Sequence, residues 1–279
     1  MKVIALLVCF LLAFSSCSTA STQQATSIDT SIVTETPVQP EFGEELEDSK
    51  GTATSEEVES PKEPAPNPRN DAYFNDTLFV GDSIMEGIRQ YVAKARKEGI
   101  VLGDAKFVTT TVGITIAHLT GHINDDIYYT YKGEEAPIED ILISISPKRV
   151  FFLLGLNDLA MGIDNQLTAE RYFELINNTK KLLPNTEVII IANPPKVNSS
   201  WLPTYVKNKE FDNDLISDFV EKIRSVCDDC NVEFVDIHAS LCNDKGALDD
   251  SMCRDGYVHL NDEGARVVVD TLYKFAEYK

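Results

Sequence analysis

The sequence is poor in basic residues. Only 25 Lys and Arg stand against 45 Asp and Glu, which gives a formal net charge of −20 at pH 7. Proteins that bind nucleic acid contact phosphates through clustered Lys and Arg, so this composition argues against a nucleic-acid partner. Docking on an anionic lipid surface through a basic patch is disfavoured for the same reason.

Long apolar runs are also missing. No run reaches the roughly 18 apolar residues that a membrane-spanning helix needs. Hydrophobic residues nevertheless make up 43% of the chain, which is enough for a sizeable core and excludes a wholly disordered protein. The length of 279 residues allows one or two domains.

The N-terminus has the features of an export signal, which we assign to residues 1–16. A basic start at Lys2 precedes an almost unbroken apolar stretch, residues 3–14, and small residues follow it. The end of the stretch resembles the lipobox of bacterial lipoproteins, in which cleavage leaves a lipid-modified cysteine, here Cys17, as the first mature residue. The departure from that pattern is Phe14, where the lipobox usually has Leu. The resemblance implies export to the bacterial cell envelope and an N-terminal lipid anchor in the membrane; an ordinary secretory signal with an incidental cysteine is the alternative.

Residues 17–70 are predicted to form a disordered, acidic tether rich in Ser, Thr, Pro and Glu. Six of the 12 prolines lie here, and Phe42 is the only aromatic residue. Such a segment cannot bury enough apolar surface to offset the entropy lost on ordering. We interpret it as a stalk for the domain predicted over residues 71–279, although an unselected leader fits the composition equally well.

From Asp71 onward, short apolar strands alternate with amphipathic helices. Strands are predicted at 77–80, 107–112, 150–154, 188–192 and 232–235, and helices at 84–97, 138–145, 168–183, 211–227 and 262–278. Thr168 is the expected cap of the third helix. The central strands are apolar on both faces, which is typical of a parallel sheet covered by helices. The pattern predicts an α/β domain of three α/β/α layers around a five-stranded parallel sheet, with functional residues at the carboxyl ends of the strands.

Four short blocks stand at those strand ends and near the C-terminus. They are Gly81-Asp82-Ser83, Gly113, Gly155-Leu156-Asn157-Asp158 and Asp255-Gly256-Tyr257-Val258-His259. In this order and spacing, over roughly residues 76–279, they resemble the SGNH (GDSL-type) hydrolase family. The resemblance implies a flavodoxin-like fold and a serine esterase that acts on small acyl groups without a cofactor or a metal.

The resemblance assigns Ser83 as the nucleophile, His259 as its base and Asp255 as the residue that orients the imidazole. These roles are chemically required, because a serine hydroxyl is a weak nucleophile until a base removes its proton. The family separates the acid and the histidine by two residues, whereas three stand between them here. We expect Gly256 to absorb the extra residue in a bulged turn; a backbone carbonyl is the alternative partner of the histidine.

The resemblance also supplies the donors of an oxyanion hole. They are the backbone N–H groups of Ser83 and Gly113 and the side-chain amide of Asn157, since a tetrahedral oxyanion needs several donors already aimed at it. Taken alone, Ser83 has the simpler interpretation of a helix N-cap. Asp82 and Asp158 are expected to form hydrogen bonds that hold the neighbouring loops.

Other candidate residues have open interpretations. Export favours disulfides among Cys227, Cys230, Cys242 and Cys253, and of the three possible pairings we favour Cys242–Cys253 with Cys227–Cys230. A zinc site at the Cys-x-x-Cys pair and free thiols are the alternatives. His118 and His122 are four residues apart, but no third metal ligand is evident in the sequence.

A long loop after the fourth predicted strand carries Trp201 and Tyr205. These aromatic residues would form a substrate wall that stacks on a sugar or covers an acyl group, or they would only anchor a packed surface loop. Taken together, the sequence predicts an exported serine esterase that removes acetyl or other short acyl groups from carbohydrate. A lipase or lysophospholipase and a non-catalytic glycan-binding surface module are the alternatives.

Overall fold

A computed structural model describes residues 69–110, 113–123 and 128–279. The predicted signal peptide, Cys17 and all but the last two residues of the predicted tether lie outside the described residues. Among the helices of the described part, none has the length and apolar character needed to cross a bilayer.

Strands and helices alternate along this part of the chain. The strands are β1 (Thr77–Gly81), β2 (Lys106–Thr109), β3 (Tyr129–Tyr131), β4 (Glu134–Ala136), β5 (Arg149–Leu153), β6 (Glu187–Ile191) and β7 (Glu233–Val235). The helices are α1 (Ser83–Ala95), α2 (Ile116–Leu119), α3 (Ile138–Ile145), α4 (Leu156–Ala160), α5 (Asn165–Leu182), α6 (Asn213–Cys230), α7 (Ile237–Leu241) and α8 (Asp262–Ala276). Short 3₁₀ turns at Asp71–Phe74 and Asp250–Met252 complete these elements.

Five strands form one parallel sheet in the order β2-β1-β5-β6-β7. Every residue of β1 and β5 is buried, which explains why these strands are apolar beyond their first residues, Thr77 and Arg149. On one face of the sheet the rings of Phe79, Phe107 and Phe151 stack, with centroids 4.9 Å and 4.7 Å apart. The predicted five-stranded parallel sheet is therefore confirmed.

The strand order places helices on both faces of the sheet. The chain moves from β1 outward to β2, and then from β5 through β6 to β7 in the opposite direction. Because such crossovers are right-handed, the reversal puts α1 on one face and α5 and α6 on the other. In agreement, α1 packs beside α8, and α5 packs beside α6.

The helix boundaries differ from the prediction where capping decides them. Helix α5 begins at Asn165 because Asp164 is its N-cap and accepts hydrogen bonds from the backbone N–H groups of Gln166 and Leu167. The predicted cap, Thr168, lies inside the helix, where its hydroxyl donates to the carbonyl of Asp164. The hairpin of β3 and β4 and the short helices α2, α4 and α7 were not predicted, since such short segments carry little periodicity.

The structure contradicts the predicted disulfides. Cys227, Cys230, Cys242 and Cys253 are all free thiols. Cys227 and Cys230 lie one turn apart on the buried side of α6, where a cysteine serves as a small apolar side chain. Burial raises the pKa of the Cys227 thiol to about 12. The thiol of Cys253 instead lies 3.4 Å from Oδ1 of Asp255.

Candidate active site

The junction of β1 and α1 presents Ser83 at the carboxyl end of a central strand. Gly81 closes β1, and a Cβ there would lie 2.5 Å from Cβ of Met85 and 2.8 Å from the carbonyl oxygen of Leu153, so only glycine fits. Asp82 caps the helix, accepting the Ile84 N–H on Oδ1 at 2.9 Å. Ser83 is the first helical residue, and its backbone N–H therefore has no acceptor within the helix. Tight strand–helix packing thus exposes a hydroxyl and a free N–H side by side.

His259 lies in the loop before α8 and meets Ser83 across the sheet edge. Its Nε2 is 2.9 Å from Oγ of Ser83, although the two residues are 176 positions apart. Its Nδ1 is 2.5 Å from Oδ2 of Asp255. A carboxylate only accepts hydrogen bonds, so Nδ1 carries the proton and Nε2 is left to accept the serine proton.

The extra residue between Asp255 and His259 is accommodated by a turn built on Asp255. Oδ1 of this carboxylate accepts the backbone N–H groups of Tyr257, Val258 and His259 at 2.9, 3.2 and 3.2 Å. Gly256 has φ +69°, the left-handed region that glycine adopts without strain. Burial is the strongest single influence on the pKa of Asp255 and acts to raise it. The hydrogen bonds and charge of His259 outweigh burial and hold this pKa below its ordinary value.

Gly113 and Asn157 lie together on the other side of Ser83. Oδ1 of Asn157 would be 3.9 Å from a Cβ on Gly113, which is an ordinary van der Waals contact. Nδ2 of Asn157 donates to Oδ2 of Asp82 at 2.8 Å and to the Ile114 carbonyl at 3.0 Å.

The backbone that carries Asn157 also depends on a glycine. Gly155 has φ +107°, and a Cβ there would lie 2.7 Å from the ring of Phe219. This tight turn ends β5 and starts α4, so that Asn157 faces Ser83 from the neighbouring strand.

Two buried carboxyl groups, Asp82 and Asp158, lie beneath these residues. Oδ2 of Asp158 accepts the Ile116 N–H at 2.9 Å and so holds the loop that follows Gly113. Burial raises the pKa of Asp82 to about 6 and that of Asp158 to about 7. Both side chains hold loops of the site, as the sequence led us to expect.

A cavity of about 420 Å³ opens beside the serine. Its lining contains both polar and apolar groups. The polar lining is Asp82, Ser83, Gly113, Asn157 and His259, and the remaining lining is Ile84, Leu156, Ala160, Met161, Tyr205, Tyr257 and Val258. The lining therefore offers apolar contacts for an acyl group and polar groups for its carbonyl.

The loop between β6 and α6 forms the outer aromatic wall. Trp201 and Tyr205 are 55% and 60% exposed, and their rings pack edge-on against buried Tyr257, with centroids 6.3 and 6.4 Å apart. Tyr205 lines the cavity, whereas Trp201 lies outside its lining. The aromatic wall therefore borders the mouth of the cavity and does not fill it.

Buried Lys196 supports the start of this loop. Its ammonium group donates to the carbonyl of Val197 at 3.1 Å and to the carbonyl of Ser199. Burial lowers the pKa of Lys196. At the other end of the loop, the N–H of Lys207 donates to the carbonyl of Ala160 at 2.8 Å. Both ends are thus fixed, which gives the exposed rings a rigid base.

Sequence reasoning missed Tyr257, Met161 and Lys196. Tyr257 stands inside the Asp255–His259 block. The extra residue in this block was the sequence feature that pointed to Tyr257. Met161 and Lys196 had no signal beyond their positions after strand ends. The two histidines weighed as metal ligands are engaged elsewhere: Nδ1 of His118 accepts the Thr115 N–H, and Nε2 of His122 lies 2.7 Å from Oε2 of Glu174. Among the described residues, no three His, Cys, Asp or Glu side chains are grouped to hold a metal ion.

Comparisons with known proteins show the fold and the family of the chain. No curated protein matches the chain. Its fold is similar to that of a GDSL-like lipase from Bacteroides thetaiotaomicron, with 17% identity and a TM-score of 0.56 over 72% of this chain and 87% of the other. It is also similar to that of an acetyl xylan esterase, with 21% identity and a TM-score of 0.50 over 71% of this chain and 98% of the other. Residues 79–267 match the GDSL-like lipase/acylhydrolase family. The chain therefore belongs to this family and is an SGNH-type esterase.

Proposed function

We propose that this esterase removes acetyl or other short acyl groups from carbohydrate through an acyl-enzyme on Ser83. The observation that carries the proposal is the 2.9 Å contact between Ser83 Oγ and His259 Nε2 at the edge of the cavity. The contact of His259 with Asp255 supports it, because this carboxylate fixes the tautomer in which Nε2 is the base.

In the first half of the reaction, His259 Nε2 takes the proton of Ser83 as Oγ bonds to the acyl carbon. The carbonyl oxygen becomes an oxyanion, and the N–H groups of Ser83 and Gly113 together with the Asn157 amide stabilise it. When the tetrahedral intermediate collapses, the bond to the leaving alcohol breaks and its oxygen receives the proton from His259. The acyl group remains on Oγ as an ester.

In the second half, His259 removes a proton from a water molecule, which attacks the acyl carbon. A second oxyanion forms and is stabilised by the same hydrogen-bond donors. The tetrahedral intermediate then collapses with release of the carboxylic acid, and Oγ regains its proton from His259. Asp255 stays ionised throughout and stabilises the imidazolium that forms twice in each cycle.

The aromatic wall supports a carbohydrate as the acylated alcohol. Trp201 and Tyr205 offer half-exposed ring faces at the mouth of the cavity, on the base provided by Tyr257. Aromatic rings that are apolar on the face and polar at the tip suit ligands that are partly wet, as a sugar is. The acyl group would enter the cavity and the sugar would remain outside it against the wall.

The apolar residues in the cavity lining are the observation that favours a lipase as the second candidate. Leu156, Ala160 and Met161 line the cavity, and Met161 is 45% exposed. A panel of chromogenic esters separates the two candidates. We expect acetyl and propionyl esters to be hydrolysed faster than octanoyl and longer esters, and the reverse order would replace the proposal with a lipase.

We further propose that the esterase is exported and anchored to the bacterial cell envelope by a lipid on Cys17. The basic start, the apolar stretch of residues 3–14 and the cysteine after two serines support this proposal. Mass spectrometry of the mature N-terminus tests it: the expected product begins with a diacylglyceryl-modified Cys17. A mature chain without lipid at this residue would contradict the anchor.

A fluorophosphonate probe tests the nucleophile. We expect wild type to be labelled once and to hydrolyse acetate esters, and Ser83→Ala to lose the label and at least about 10³-fold in kcat. The matched control is Ser217→Ala, because Oγ of Ser217 also contacts a histidine, His238 Nε2 at 3.3 Å, away from the cavity. This control should keep both label and turnover. An unlabelled, inactive wild type would favour the glycan-binding module instead.

A further inference from the structure

Asp82 joins the two parts of the proposed oxyanion hole, although it takes no part in the chemistry described above. It is only 2% exposed and stands between Ser83 and Asn157. Its carboxylate oxygens serve different elements: Oδ1 accepts the Ile84 N–H at the start of α1, and Oδ2 accepts Nδ2 of Asn157 from the neighbouring strand end. A single carboxylate therefore sets the distance between the proposed nucleophile and the amide donor.

We infer that Asp82 is a positioning residue that fixes the Asn157 amide for transition-state binding. The inference rests on the proposed function. The Asn157 amide has two hydrogens, and Asp82 takes one of them at 2.8 Å. The other is donated to the Ile114 carbonyl at 3.0 Å, and this is the hydrogen that a developing oxyanion beside Gly113 would take over.

The ionisation of Asp82 selects the amide nitrogen over the amide oxygen. An ionised carboxylate only accepts hydrogen bonds, so it must face the NH₂ group of Asn157. Burial raises the pKa of Asp82 to about 6, opposed by the Ile84 N–H and by His259, which leaves the carboxylate ionised above that pH. The other titratable groups that face it are the buried phenols of Tyr129 and Tyr172.

Asp82→Asn tests the inference because it preserves the helix cap but replaces the oxygen that accepts from Asn157 with an NH₂ donor. Asn is as good an N-cap as Asp, so its oxygen can still accept the Ile84 N–H. Its NH₂ group would then face the NH₂ group of Asn157, which must turn its oxygen towards residue 82 and lose its anchored position. We expect kcat on an acetate ester to fall about 100-fold, while KM stays within about twofold and the thermal midpoint changes by only a few degrees.

Two further variants separate positioning from capping. Asp82→Ser keeps a capping oxygen but is too short to hold Asn157, and we expect the same loss in kcat. Asp164→Asn, the same exchange at the N-cap of α5, should leave kcat unchanged. A wild-type kcat in Asp82→Asn and Asp82→Ser would overturn the inference.

A double-mutant cycle with Asn157→Ala shows whether Asp82 acts through Asn157. If it does, Asp82→Asn in the Asn157→Ala background costs less than about threefold in kcat, because the group that it positions is already gone. If the losses in kcat of the two single variants multiply in the double variant, the inference is overturned, since Asp82 would then act on the chemistry by a route other than Asn157. A wild type that neither hydrolyses acetate esters nor reacts with a fluorophosphonate overturns the proposed function together with this inference. An active wild type with multiplicative losses overturns this inference alone.

Discussion

At the scale of single residues, the site depends on carboxyl groups in different surroundings. Asp255 is partly exposed and caps a turn, so the hydrogen bonds that it accepts keep it ionised beside His259. Asp82 and Asp158 are buried, and burial disfavours their charged forms. The same side-chain type thus serves as a fixed charge at the histidine and as a bracing acceptor under the loops.

Asp158 should make the stability of the protein depend on pH. Burial raises its pKa to about 7 from 3.8, against the opposing N–H of Ile116 and charge of Arg171. Because the folded state then binds the proton more tightly than the unfolded state, the free energy of unfolding falls as the pH rises from about 4 to about 7. The side chain introduced by Asp158→Asn cannot ionise. The free energy of unfolding of this variant, relative to that of wild type, should therefore rise by on the order of 4 kcal/mol between pH 4 and pH 8.

Urea unfolding at pH 4, 6 and 8 measures this difference. Asp164→Asn, which removes the same charge from an exposed position, controls for net charge. A free-energy difference between Asp158→Asn and wild type that is the same at all three pH values would contradict the prediction.

At the scale of elements, strand ends position the proposed catalytic groups and one loop forms the entrance to the cavity. The ends of β1 and β5 turn sharply because Gly81 and Gly155 leave no room for a side chain, and these turns place Ser83 and Asn157 just beyond the ends of adjacent strands. The loop between β6 and α6 adds the outer wall and is fixed at both ends by hydrogen bonds to its backbone. Rigid turns thus hold the proposed chemistry, and a braced loop shapes the entrance.

Trp201→Ala should weaken the binding of a sugar without changing the chemistry. We expect KM for an acetylated oligosaccharide to rise about fivefold, which is the loss of one aromatic contact of about 1 kcal/mol. The kcat, and both constants for a small chromogenic acetate, should stay unchanged. Tyr278→Ala, at an aromatic residue that is 87% exposed and lies outside the cavity lining, is the matched control. Equal effects of Trp201→Ala on both substrates would show that the ring only supports the loop.

At the scale of the whole molecule, the described domain is held together without cross-links between cysteines. The core extends through the sheet and both helix layers, and the four cysteines of this part are free thiols. Alkylation of the denatured, unreduced protein should therefore modify Cys227, Cys230, Cys242 and Cys253. Peptide mapping by mass spectrometry is the measurement, and a disulfide-linked peptide pair would contradict the structure.

Much of the fold could be predicted from the sequence because its signals are local. The apolar run of residues 150–154 predicts a buried strand, and the amphipathic pattern of residues 262–278 predicts a helix with one buried face. The α/β class and the parallel sheet followed from their alternation, and the structure confirms both. The start of α5 was predicted wrongly because Asp164 and Thr168 are both good caps, and only the surrounding packing selects between them.

The sequence by itself determined where chemistry is expected, since glycine, serine and asparagine follow the predicted strands in one order and the histidine stands just before the last predicted helix. Only the tertiary structure decided which side chains meet. Ser83 and His259 come into contact across 176 residues, the turn on Gly256 lets Asp255 reach the imidazole, and Tyr257 becomes the base of an aromatic wall. The physical reason is that turns and helices depend on neighbours along the chain, whereas a site depends on the closure of the whole sheet.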